Sequence, residues 1–427
     1  MGALDGIKVV EFSIGIQAPQ AALHLAEHGA EVIKIEPPVG ETNRFHGGLG
    51  NHLPESLPGP QFVAMNRGKR MIVVNAKGER GREAILKLIS EADIFMSNWR
   101  EAALERLGLG YDELHKSFPK LIYATINGFG LKGPDADRAM MDGVAQARGG
   151  LTSVTGSPDQ VPMMAGAAIA DSSGAVQLSV GILTALVARE RTGIGQRVST
   201  SSYASQLWLQ CWELTHTGMT GYVPQRSGSF HPLASGGGFG CYETSDGQAV
   251  ALVDTLEAEK WREFCAYAGR PEIAEDTRWD NPRKRIGLGD PSGYEAGLLR
   301  PIMIEMMKSR TAAEWEAFFA DPDIMFQRVF HYGEILSDPQ ALENGDVTQI
   351  DLPGVGSIKT IANPIDLSEP PAETKPIATE LGMHTEEVLL EYGFDWDTIS
   401  EINAEAEQFR QEAYKSAGLT LGTGSKK

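Results

Sequence analysis

Apolar positions along this chain switch between a period of two and a period near 3.6. Ile7-Lys-Val-Val-Glu-Phe predicts a strand, Pro19 to Glu27 a helix that stops at Gly29, and Glu31-Val-Ile-Lys-Ile a second strand. Together they form a βαβ unit, so the two strands are expected to be parallel with a right-handed crossover. The alternation continues with strands at Arg70 to Val74, Asp93 to Ser97 and Lys120 to Ile126, and helices at Gly78 to Ala92 and Tyr111 to Ser117. Such a series implies a parallel sheet covered on both faces, with ligands gathering at the carboxyl ends of the strands. The polar residues assigned to those ends are Gln17, Asn66 to Arg70, Lys77 and Asn98 to Arg100, each either a solvated loop residue or a ligand group.

A long apolar helix follows, from about Ser172 to Arg191, ended by Gly193 and Gly195 and succeeded by a strand, Gln196 to Ser201. Val176, Val180, Leu183 and Val187 recur at spacings of three and four, which predicts that this face is buried. The approach, Ala165-Gly-Ala-Ala-Ile-Ala, is built of small residues and leads into Asp171-Ser-Ser-Gly. Asp171 therefore falls where loop becomes helix. There it is expected to stay ionised, either as an N-cap or as a carboxylate available to a ligand.

Tyr203 to His216 reads as helical, after which the texture changes. Ser227 to Gly240 is rich in Gly, Ser and Pro and includes Ser235-Gly-Gly-Gly-Phe-Gly, which is either a flexible linker or a mobile lid. Strands at Phe239 to Thr244 and Gln248 to Val253, then helices near Leu256 to Ala268, Tyr294 to Lys308 and Ala312 to Ala320, describe a small α/β domain. Further on come strands near Val347 to Asp351 and Ser357 to Thr360, a Pro-rich crossing segment, and helices from His384 and from Trp396 to Lys415. The expected division is 1–225 as the first part of a large domain, 226–325 as the small domain, and 326–427 as a linker returning to the large domain or to a partner chain. Gly422 to Lys427 reads as unstructured.

At 427 residues the chain is long enough for two or three domains with sizeable cores. A net charge of −19 argues against nucleic acid as a partner, because phosphate neutralisation needs a basic face. Cys211, Cys241 and Cys265 are scattered, with neither zinc nor disulfide spacing. With no N-terminal apolar segment and no apolar run expected to span a bilayer, a cytoplasmic setting without membrane or metal is expected. The turn after the first strand, Ser13-Ile-Gly-Ile-Gln-Ala-Pro, lacks the G-x-G-x-x-G of dinucleotide folds, although Glu36 stands where such folds hold a ribose.

Several short patterns then coincide in order along nearly the whole chain. They include Leu4-Asp-Gly-Ile-Lys-Val-Val-Glu-Phe, Gly29-Ala-Glu-Val-Ile-Lys-Ile-Glu, Asn66-Arg-Gly-Lys-Arg and Ala92-Asp-Ile-Phe-Met-Ser-Asn-Trp. Leu104-Glu-Arg-Leu-Gly-Leu, Gly149-Gly-Leu-Thr-Ser-Val-Thr-Gly, Ala170-Asp-Ser-Ser-Gly, Arg191-Thr-Gly-Ile-Gly-Gln-Arg-Val and Gly382-Met-His-Thr-Glu-Glu-Val-Leu complete the set. In sum the chain resembles the family III CoA-transferases, the group that includes formyl-CoA:oxalate and carnitine CoA-transferases. The resemblance implies a doubly wound, Rossmann-like large domain, a small α/β domain, and two protomers interlocked as linked rings.

It also implies a catalytic aspartate, which is Asp171 in the Ala-Asp-Ser motif. Attack on an acyl-CoA would give an aspartyl anhydride and then an aspartyl-CoA thioester, from which an incoming carboxylic acid leaves as the new acyl-CoA. Coenzyme A is then substrate, with no tightly bound cofactor. Oxyanions on this path need N–H donors, and the backbone after Asp171 is expected to supply one. By the same resemblance Gln17 lies near the acyl group, Gly236 to Gly238 form a loop that keeps water from the intermediate (Gly237 and Gly238 foremost), and Val74, Lys77, Asn98, Trp99, Arg100 and Arg106 contact CoA.

Two departures stand out. The family's adenine-side arginine is Pro37 here, with Arg44 or Arg100 as replacements, and a Lys-x-Tyr upstream of the aspartate is Ala139-Met140-Met141, which implies a more open, apolar acyl pocket. The family also holds α-methylacyl-CoA racemases, whose Gly-His-Asp base is aligned with Met141-Asp142, and methionine cannot move a proton. A non-catalytic CoA-binding partner subunit is the other alternative; retention of Asp171, Gln17 and the glycine loop speaks against it.

Overall fold

The computed structural model describes residues 2–45, 57–287 and 294–417, so the stretch Gly422 to Lys427 lies outside it. Two compact units are present: 1–145, 168–209 and 336–427 make the first, and 146–167 with 210–335 the second.

The first unit is built on six strands: β1 Lys8–Phe12, β2 Glu31–Glu36, β3 Arg70–Val73, β4 Ile94–Ser97, β5 Ile122–Asn127 and β6 Arg197–Ser201. All pair in parallel, in the order β3-β2-β1-β4-β5-β6. This is the doubly wound arrangement expected, with the order reversing beside β1. Successive residues of a strand face opposite sides. Val10, Phe12, Ile33, Ile72 and Phe95 therefore join one core layer, and Val9, Val32, Ile94, Met96 and Ile122 the other. One layer packs against helices Glu79–Ser90, Thr385–Glu391 and Trp396–Ser416. The other packs against helices Gln17–Glu27 and Ile169–Thr192.

Charge interrupts the apolar run of β1 and β2 at one place. Glu11 and Lys34 are register partners on these strands, and both are fully buried. Lys34 Nζ lies 2.9 Å from Glu11 Oε1 and donates to the Ser13 carbonyl at 2.9 Å, while Lys69 Nζ lies 2.8 Å from Glu11 Oε2. Burial pushes the Glu11 carboxyl upward, but Lys34 and Lys69 outweigh it and bring it down to about 2.

The helix Ile169–Thr192 corrects two expectations. Its buried residues include Gly174, Ala175, Leu178, Ile182, Ala185 and Leu186, whereas Val176, Val180, Leu183 and Val187 are 40% to 55% exposed. Small residues explain the choice: a Cβ on Gly174 would come within 2.7 Å of Ile126 Cδ1, so only this face lets the helix approach the sheet. By length and hydropathy it is also the one helix among the described residues that could cross a bilayer. The expectation that no run is long enough was too strict; packing on the sheet accounts for one apolar face of this helix and leaves the other exposed.

The second unit contains an antiparallel sheet, β7 Phe239–Glu243, β8 Ala249–Val253 and β9 Met325–Arg328. Trp261, Phe264, Trp279, Trp315 and Phe319 fill its core. The triple glycine is neither loose nor linker-like. Gly236 N and Gly238 N donate to Ile286 O and Arg285 O at 3.0 Å, and Asp254 N donates to Gly238 O at 2.7 Å. A Cβ on Gly236 would fall 2.0 Å from the Arg285 carbonyl oxygen. Arg285 is itself buried and pairs with Asp254 at 2.7 Å. In the first unit, a hairpin of β10 Val347–Leu352 and β11 Gly356–Ile361 precedes the last two helices.

Candidate active site

The loop leaving β1 and the start of the Ile169–Thr192 helix meet at one point. Gln17, the first residue of its helix, donates from Nε2 to Asp171 Oδ1 at 2.7 Å, and the same nitrogen contacts Ser202 Oγ. The loop ahead of Gln17 is tied down. Ile14 N donates to Asn98 Oδ1 and Gly15 N to Glu41 Oε2, both at 3.1 Å. Lys34 holds the Ser13 carbonyl from below, so the buried ionic cluster supports the loop that presents Gln17.

Asp171 is the third residue of its helix, and the N-cap is Ala168. Capping is done by another carboxylate: Asp142 Oδ1 accepts from Ala170 N at 2.7 Å and from Asp171 N at 3.1 Å. Ser172 N bonds Ala168 O at 2.9 Å. The backbone N–H groups of Ala170, Asp171 and Ser172 are thus engaged, contrary to the expectation that one is available to an oxyanion, and Gln17 is the side-chain donor to Asp171. Burial raises the Asp171 carboxyl to about 6, against the hydrogen bond from Gln17 and with the neighbouring Asp142 charge. The helix start therefore does not hold this carboxylate at its ordinary value.

A cavity of about 580 Å³ opens here, lined by Gln17, Asn98, Arg100 and Asp171 among others. Of the residues assigned to CoA, it gathers Asn98 and Arg100 from the end of β4. Val74 is buried just past β3, and Lys77 is exposed with its ammonium 5.7 Å from the Phe409 ring. Trp99 stacks on Phe12 at 4.9 Å, and Arg106 is exposed at the end of the helix Glu101–Arg106. Gly237 and Gly238 belong to the second unit. Among the described residues, no group of three or more His, Cys, Asp or Glu is placed to hold a metal ion.

Several polar residues prove structural. Asn66 to Lys69 precede β3 and so stand at its amino end. Arg67 pairs with Glu27 at 3.0 Å, and Arg70 with Glu31, Glu387 and Glu391. Glu36 and Arg44 are spent on each other, in a bidentate pair with both bonds at 2.8 Å, so neither is open to a ligand. The guanidinium beside the Pro37-Pro38 turn is instead that of Arg410, whose Nε donates to Pro38 O at 2.8 Å. Arg410 lines a second cavity, of about 480 Å³, together with Val73. Asp142 as cap, Ser202 and Arg410 were not legible as site residues, because each reaches its place from a distant part of the chain with no local signature.

The model of CoA-transferase family III matches residues 4–385. The chain belongs to this family. It is 31% identical to an (R)-2-hydroxy-4-methylpentanoate CoA-transferase of Clostridioides difficile, over 93% of this chain and 97% of that one. It is 32% identical to a formyl-CoA:oxalate CoA-transferase of Streptomyces coelicolor, over 90% and 94%. A CAIB/BAIF family protein from Brucella suis superimposes with a TM-score of 0.78 at 28% identity, covering 92% of this chain and 99% of that one. This family III protein is accordingly a CoA-transferase, with CoA thioesters as its substrates.

Proposed function

We propose that this CoA-transferase moves CoA between two carboxylic acids by way of Asp171. Gln17 holds Oδ1, which leaves Oδ2 to attack the thioester carbonyl carbon. The C–S bond breaks, CoA departs as thiolate, and a mixed anhydride remains. The thiolate then attacks Asp171 Cγ, the Cγ–O bond to the acyl group breaks, and the donor acid leaves as carboxylate. The acceptor carboxylate retraces the two steps, so thioester energy is kept and no proton is consumed overall. The Gln17 amide is placed to donate to the oxyanion formed at Asp171 Cγ. Shielding of the anhydride from water is the task proposed for Gly237 and Gly238.

The observation that carries this reading is the Gln17–Asp171 bond of 2.7 Å within a cavity open to a ligand. Met141 stands where a racemase base is expected, and among the described residues the cavity lining contains no histidine. This supports transfer over racemisation. For the assembly we propose two copies of this chain, and the exposed apolar row on the Asp171 helix supports it.

The decisive experiment incubates the enzyme with an acyl-CoA and then borohydride or hydroxylamine, followed by peptide mass analysis. CoA-dependent modification is expected at Asp171 and none in Asp171→Ala, which loses at least about 10³-fold in turnover. Unmodified Asp171, or an alanine variant of full activity, removes the proposal.

A further inference from the structure

The residues next to the proposed nucleophile carry information about the acid being activated. Asp142 binds the amides of Ala170 and Asp171, which fixes the end of the segment Arg138 to Asp142 against the first turn of the helix. Its neighbours Met140 and Met141 line the same cavity as Asp171. Met140 is seated by Gly128, just beyond β5, where an added Cβ would lie 2.6 Å from the Met140 Cβ. Met141 is 79% exposed, so a long apolar side chain stands uncovered beside the carboxylate.

Charge points the same way. Among the described residues, Glu41, Glu101, Asp137, Asp142 and Asp171 line the cavity with Arg100 and Arg138; Glu101 is paired with Arg197 and Glu41 lies 3.8 Å from Lys34, which leaves Asp137, Asp142 and Asp171 beside the two arginines. Arg138 already has Asp135 3.5 Å away. A substrate with a second carboxylate would add an anion to a surplus of acids, whereas an apolar tail would cover the methionines. Methionine is unbranched and flexible, which suits linear and branched tails alike.

Resting on Asp171 as the nucleophile, we propose that the acids exchanged here bear one carboxylate and an apolar tail, and that Met140 and Met141 receive the tail. Identity exchange tests this with one acid at a time. Isotope-labelled 3-methylbutanoate is exchanged into 3-methylbutanoyl-CoA, and labelled succinate into succinyl-CoA, using the full-length enzyme and mass readout of the thioester.

The apolar pair is expected to exchange with at least tenfold higher kcat/KM. Met141→Lys is expected to lose at least tenfold on 3-methylbutanoate and to gain on succinate, with mass in solution and melting temperature unchanged, while Met141→Leu keeps the apolar preference. Faster exchange of succinate by the native enzyme, or an unchanged ratio in Met141→Lys, overturns the inference alone. A Met141→Lys variant altered in assembly rather than in substrate ratio also overturns it. Exchange that survives in Asp171→Ala overturns the underlying reading as well, so the two failures are told apart.

Discussion

Asp171 sits in a place that works against its own charge. The rise of its carboxyl from 3.8 to about 6 corresponds to about 3 kcal/mol set against the ionised form. Because the folded state favours the protonated carboxyl, this group opposes folding increasingly as pH climbs from about 4 to 6, and the deficit persists above that. Asp171→Asn is therefore expected to abolish transfer yet unfold at higher urea concentration than the native protein at neutral pH. In the native enzyme kcat/KM is expected to fall about tenfold per unit below pH 6, as the proposed nucleophile is protonated. A flat profile from pH 5 to 8 would contradict that role. The motif Ala170-Asp-Ser-Ser-Gly and its family resemblance made Asp171 legible, but neither could reveal that Asp142, 29 positions earlier, takes the helix amides.

Among the elements, the pair β1 and β2 shows how register makes chemistry. Alternation put Glu11 and Lys34 in buried strands, and parallel pairing set them opposite each other. Lys69 then completes a charge cluster under the Gln17 loop. Glu11→Gln leaves two buried ammonium groups facing an amide, for an expected loss of about 3–5 kcal/mol in urea unfolding. Glu11 is held low, so its contribution is present above about pH 4.5 and is lost as pH falls toward 2. In the variant the acid-unfolding curve is expected to flatten over that window. The long helix teaches the opposite lesson: its spacing was read correctly as helical, but two apolar faces competed, and packing against the sheet and the helix Gln17–Glu27 selected the one with glycine and alanine.

For the whole molecule, the row Val176, Val180, Leu183 and Val187 needs a cover, and a second copy of the chain is the proposed one. Val180→Asp is expected to shift the mass in light scattering from twice the chain mass toward the single chain. A native protein that is already monomeric would refute the pairing.

The sequence by itself determined the long helices and most strands of the large sheet and the turn before Gln17, because periodicity acts over a few residues, while the family resemblance singled out Asp171 as the candidate nucleophile. Only the tertiary structure decided which helix face is buried, why Gly236 and Gly238 lie against Arg285, and how Arg410 reaches Pro38 from 372 positions away. Those outcomes depend on the fit between surfaces brought together by the fold, which no local pattern encodes.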